Sequence, residues 1–84
     1  MHDMNEIERI LVSAHLVDAR GKACPVPIIE LAKALRAHAQ VELWADDPAA
    51  RGDLNAFLEA TGHVLEKDVA DARVLKVVVG ARRP

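Results

Sequence analysis

The chain has no tyrosine, and among its 84 residues there is one tryptophan, one phenylalanine and one cysteine. The near absence of aromatic rings removes the stacking platforms on which single-stranded nucleic acid is held. A lone thiol excludes an internal disulfide, and no second thiol in the chain can resolve an oxidised first one. Positive charge is not in excess either. The 11 Lys and Arg stand against 13 Asp and Glu, a formal charge of -2, which argues against affinity founded on neutralising phosphates. Direct nucleic-acid binding is therefore not expected. No apolar run reaches the length of a membrane span, and Met1-His2-Asp3-Met4-Asn5-Glu6 has neither the basic nor the apolar region of a secretory leader. The expectation is a cytoplasmic protein that does not enter a membrane.

What is present is aliphatic. The composition is 51% hydrophobic and dominated by Ala, Val and Leu, so the core must be built by tight packing of small branched side chains. A chain of this length supports one core, and no repeat, low-complexity linker or composition break divides it. Residues 1–13, with Ile7, Ile10 and Leu11 among charges, read as an N-terminal arm or a short helix, and 14–84 as the domain.

The patterns within 14–84 alternate between two periods. "AHLVDARG" offers His15 and Val17 on one face of an extended segment and Leu16 and Asp18 on the other, closed by Gly21. From Pro25 the period becomes helical, with Ile28, Leu31, Ala32 and Leu35 in one stripe. "QVELWA" returns to alternation, placing Val41, Leu43 and Ala45 on one face. Asp47-Pro48 reads as an N-cap and first residue of a second helix, whose inner face carries Leu54, Phe57, Leu58 and Thr61 and which Gly62 stops. The last third reads as an antiparallel hairpin turning around Ala70-Asp71-Ala72, with Arg82-Arg83-Pro84 as a tail. The fold class expected is α+β: a two-layer α/β sandwich in the order βαβαββ, with two helices packed on one face of a four-stranded mixed sheet.

The single cysteine lies in "GKACPVPI". This reading makes Cys24 the N-cap of the first helix and places Pro25 and Pro27 in its first turn, where a missing N–H costs nothing. It leaves the Val26 and Ile28 N–H groups facing the sulfur. A thiol at a helix N-terminus, with Arg20 and Lys22 nearby, is expected to have a lowered pKa and to populate the thiolate or a persulfide anion at neutral pH. The competing reading is a buried thiol serving as a small hydrophobe. Position between a charged loop and two prolines favours a reactive group. No rival constellation matches it. His2, His15, His38 and His63 are scattered without the spacing of metal ligands, so no metal and no cofactor are expected. A cysteine hydrolase needs a cleft and an oxyanion hole for which so short a chain has little room.

"DARGKACPVPIIELAKAL", then "ADDPAARGDLNAFLEATGH" and a terminal hairpin, resembles the TusA/SirA-like sulfur-carrier family, marked by Cys-Pro-x-Pro at the first helix. The resemblance spans residues 14 to 80. It implies that Cys24 bears sulfane sulfur as a persulfide, that Pro25 and Pro27 are the motif's scaffold, and that Asp47 lies near a partner-docking surface. It further implies a sulfur donor such as a cysteine desulfurase or rhodanese, and an acceptor such as a DsrE-like relay protein. Among the pathways the resemblance implies are tRNA thiolation, sulfur supply for molybdenum cofactor or oxidative sulfur metabolism. Docking is expected through the loop residues Arg20 and Lys22 and the helix residues Lys33 and Arg36, and a monomer suits a shuttle. Val26 between the prolines, Ala32 on the helix and the position of Arg51 differ from the tRNA-thiolation members. The alternative is a redox-responsive regulatory or interaction module in which Cys24 is an oxidation sensor.

Overall fold

The structure is a computed structural model that describes residues 14–69, 71 and 73–82. The expected N-terminal arm over 1–13 and the end of the tail lie outside the described residues, as do Ala70 and Ala72 of the hairpin turn. The order of elements is β1 (His15–Asp18), α1 (Val26–Ala37), β2 (Val41–Ala45), α2 (Ala50–Thr61), β3 (His63–Asp68) and β4 (Leu75–Arg82). This is the expected βαβαββ arrangement of an α+β fold.

The sheet runs β1-β2-β4-β3. β1 pairs with β2 in parallel, as a strand-helix-strand crossover demands. β4 is antiparallel to both β2 and β3, so it enters between two strands of like direction and makes the sheet mixed. The register shifts twice along β3, between His63 and Leu65 and again between Leu65 and Lys67.

Alternation decides which face is covered. In β2, Val41, Leu43 and Ala45 are buried, and opposite them in β4 so are Leu75, Val77 and Val79. Leu31 of α1 and Ala50 and Leu54 of α2 complete the same core cluster, with Ile28, Leu35, Phe57 and Leu58 packed against it. The helices contribute most of the expected stripes, with Ala34 rather than Ala32 packed against the core in α1 and Thr61 of α2 outside it, and each buried branched side chain contributes roughly 1.5–3 kcal/mol. Pro27 is also buried, so it belongs to the core as well as to the helix start.

The opposite sheet face carries Glu42, Trp44 and Lys76, all partly buried, beside the exposed Leu16 and the buried Val78. Trp44 lies there, with the Arg20 guanidinium and the Lys76 ammonium each 4.9 Å from its ring centroid. Two cations over one indole shield part of an apolar ring that neither α1 nor α2 covers.

Helix α2 ends as expected at Gly62, whose φ of 79° lies in the left-handed region and whose N–H donates to Leu58 O at 2.9 Å. A Cβ there would meet no neighbour within 4 Å. Any cost of Gly62→Ala is therefore backbone strain, about 1–2 kcal/mol. Thermal unfolding should show a Tm lower by several degrees, and an unchanged Tm would mean that the helix end does not depend on this conformation.

The expected hairpin is present between β3 and β4. Its turn lacks the usual Gly signal and is held instead by Asp71, whose Oδ1 accepts the N–H groups of Arg73 and Val74, both at 2.8 Å. Those two donors hold the Asp71 carboxyl below its ordinary pKa.

Candidate functional site

Three short segments converge at one end of the sandwich: the loop from β1 to α1, the loop from β2 to α2, and the first turns of α2. The first loop turns at Gly21, whose φ is 82°, a conformation that favours glycine. Gly21 N–H donates to Asp46 Oδ1 at 2.9 Å, and Cys24 N–H donates to Asp47 Oδ2 at 3.2 Å. The adjacent acids of "DDP" thus tie the cysteine loop to the end of β2 from two points.

Asp47 has a second bond. Its Oδ1 accepts the Ala49 N–H at 2.8 Å, and its carbonyl accepts Ala50 N–H at 3.0 Å. The expected N-cap at Asp47 is corrected by this geometry: α2 begins at Ala50 with Ala49 at the cap, and Asp47 closes the turn before it.

The cysteine also departs from expectation. α1 begins at Val26 with Pro25 at the cap position, so Cys24 lies one residue outside the cap. The Val26 N–H is taken by Ala23 O at 2.9 Å and the Ile28 N–H by Pro25 O at 3.1 Å. The donors expected to face the sulfur are thus satisfied by backbone carbonyls, because the Cys-Pro segment forms its own turn before the helix. The Cys24–Pro25 peptide bond is cis.

Cys24 is exposed, which removes the reading of a buried filler. Its thiol donates a hydrogen bond to Asp53 Oδ2, from the first turn of α2 and 29 residues away in sequence. The pKa expectation is reversed by this contact. The Asp53 hydrogen bond, then desolvation, then the negative charges of Asp53 and Asp47 push the Cys24 thiol above its ordinary value.

The two loop cations do not offset that push, since each is engaged elsewhere. Arg20 makes a two-pronged pair with Asp18, at 2.9 and 2.7 Å, and this pair holds the Asp18 carboxyl down to about 2. Lys22 Nζ lies 2.6 Å from Glu30 Oε1. Lys33 and Arg36 are exposed on α1. Arg36 is ten residues beyond Val26, about 15 Å along the helix. Of the expected docking residues, the structure therefore brings Asp47 against Cys24, pairs Arg20 with Asp18 and Lys22 with Glu30, and puts Arg36 at the far end of α1.

Asp53 and Asp46 were not assigned by sequence reasoning. Asp46 sits beside a residue with an evident capping signal, and Asp53 reads as an ordinary acid near a helix start; neither position announces a partner more than twenty residues away. Among the described residues, no group of three or more His, Cys, Asp or Glu side chains is placed to hold a metal ion. Among those residues, too, no helix is long and apolar enough to cross a membrane.

A small sheet covered by two helices, with one exposed thiol held at the end where the loops meet, makes a two-layer α+β domain with a single accessible sulfur atom from cysteine. The family model for sulfurtransferase TusA matches residues 15–80, and the chain belongs to that family. YrkI of Bacillus subtilis, named as a candidate sulfur carrier protein, is 36% identical over 67 residues, which are 76% of this chain and 89% of YrkI. A Neisseria meningitidis protein with the same kind of name is 39% identical over 57 residues, covering 64% of this chain and 77% of its own. The crystal structure of a SirA-like protein from Desulfitobacterium hafniense superposes with a TM-score of 0.65 at 30% identity, covering 81% of this chain and 97% of that one. The protein is a sulfur carrier of this family, and that role implies relay partners.

Proposed function

We propose that Cys24 carries sulfane sulfur as a persulfide and passes it to a second protein, within a single carrier domain spanning 14–84. The observation that carries this reading is the exposure of the chain's one thiol at the loop before α1. The cleft lined by Asp46, Asp47, Arg51, Asp71 and Arg73 opens beside that loop without including Cys24, whose thiol lies at the surface.

Loading is an exchange that balances without an oxidant. The Cys24 sulfur attacks the outer sulfur of a donor persulfide, the donor's S–S bond breaks, and a new S–S bond forms on Cys24. The proton lost by the Cys24 thiol ends on the departing donor thiolate. Unloading repeats the exchange with the acceptor's thiol. Absence of a second thiol in the chain prevents premature discharge by internal exchange.

Pro27 anchors the loop to the core, while Pro25 fixes the entry into α1. A cysteine desulfurase or rhodanese is the donor and a DsrE-like protein or another relay protein the acceptor, in the cytoplasm. Lys33 and Arg36 supply exposed positive charge for docking, with Arg20 and Lys22 contributing when their ion pairs exchange partners. Such docking weakens as salt rises. Delivery to tRNA thiolation, molybdenum cofactor or oxidative sulfur metabolism depends on which acceptor reads this surface.

The test is intact-protein mass spectrometry after incubation with a cysteine desulfurase and cysteine. A gain of about 32 Da, one sulfur atom, that reductant removes is expected. No gain from that donor, and none from a rhodanese with thiosulfate, overturns the persulfide reading. The oxidation-sensor reading is disfavoured by the Asp53 bond, because a sensor needs its thiol readily ionised.

A further inference from the structure

Cys24 is held by a carboxylate, an unusual neighbour for a sulfur that must act as a nucleophile. Resting on the carrier reading of Cys24, we propose that Asp53 is a positioning residue that restrains the thiol in the unloaded protein, holding its proton and its direction through the Sγ–H to Oδ2 hydrogen bond.

The surroundings favour this role over an incidental contact. Asp53 is half-buried in the first turn of α2. Asp47, from the preceding loop, accepts the Cys24 N–H and adds negative charge on the same side. Asp46 accepts Gly21 N–H and keeps that loop in place. Among the described residues, the loop cations Arg20 and Lys22 pair with Asp18 and Glu30, and Arg51 of α2 pairs with Asp68 at 2.7 Å. The charges that bear on the sulfur are those of Asp53 and Asp47. An ionised sulfur beside Asp53 would meet like charge where the neutral thiol meets an acceptor.

The functional consequence is selective reactivity. A thiolate left exposed in the unloaded carrier would be open to peroxide and to exchange with any small disulfide. A restrained thiol reacts slowly with these and waits for a donor. Loading then requires that the S–H proton leave the Asp53 bond, to end on the donor's departing thiolate as written above. No electrons are gained or lost in that step.

The test is the pH profile of Cys24 alkylation by iodoacetamide in the folded protein, for wild type, Asp53→Asn, Asp53→Ser and Asp53→Glu. Removing the carboxylate should lower the midpoint. Each unit of decrease gives about ten times more thiolate at neutral pH, and since each thiolate is then less nucleophilic, alkylation quickens about threefold. Asp53→Glu, which keeps the acceptor, should stay near the wild-type midpoint. A midpoint that is unchanged or raised in whichever carboxylate-free variant folds, by circular dichroism, overturns the proposal. An equal fall in Asp53→Glu also overturns it, since packing rather than the carboxylate would then be responsible. Alkylation requires no sulfur transfer, so failure here leaves the carrier reading standing, and failure of the mass gain leaves this result interpretable.

Discussion

Cys24→Ser should fold as the wild type does and gain no sulfur. The substitution exchanges one small group for another at an exposed position, where changes away from special features usually alter stability by about 0.5 kcal/mol or less. The serine hydroxyl can donate to Asp53 as the thiol does, so the loop keeps its tie to α2. The oxygen, however, cannot form a persulfide, and the chain offers no other thiol. Intact mass after incubation with donor should therefore show the unmodified variant only, beside a wild type that gains about 32 Da. A stable gain of one sulfur on Cys24→Ser would sink the assignment of the sulfur to this residue. Urea denaturation of both proteins separates loss of cargo from loss of fold.

Leu43→Ala should have the largest effect on stability, with Cys24 untouched. Leu43 has no solvent exposure and lies at the centre of β2, between Val17 of β1 and Val77 of β4 in register. Cavity-forming truncations at such sites cost about 2–5 kcal/mol. Small domains have total stabilities near the lower end of about 5–15 kcal/mol, so this single change removes a large share and should shift the urea midpoint sharply. Leu16→Ala is the control one strand away. Leu16 points to the open face and is 47% exposed, and its truncation should shift the midpoint little. Equal shifts for the two variants would contradict the assignment of the covered face. Because the core holds the strands and α2 whose loops converge on the sulfur, Leu43→Ala should also load less sulfur as temperature approaches its lowered Tm.

Both expectations draw on patterns that the sequence displays locally. The alternation of Val41, Leu43 and Ala45, the stripe of Leu31 and Leu35, and the glycine at 62 each reflect short-range geometry, because strand and helix periods repeat within a few residues. They suffice to order the elements and to divide buried from exposed faces. Helix starts were displaced by one residue at Cys24 and by two at Asp47, because prolines and Asx bonds build turns that precede the helices without belonging to them.

The electrostatics of the site had a different origin. Arg20 and Lys22 stand next to Cys24 in sequence and read as its charge partners, yet their ion pairs with Asp18 and Glu30 direct them away. The acids that set the thiol's character come from 23 and 29 residues downstream. By itself the sequence determined the order βαβαββ, the covered face of the sheet, the family and the position of the chain's single thiol. Only the tertiary structure decided that Asp53 and Asp47 surround that sulfur and raise its pKa, since a hydrogen bond between distant segments depends on how two loops and a helix start are brought together in space, and no local period records it.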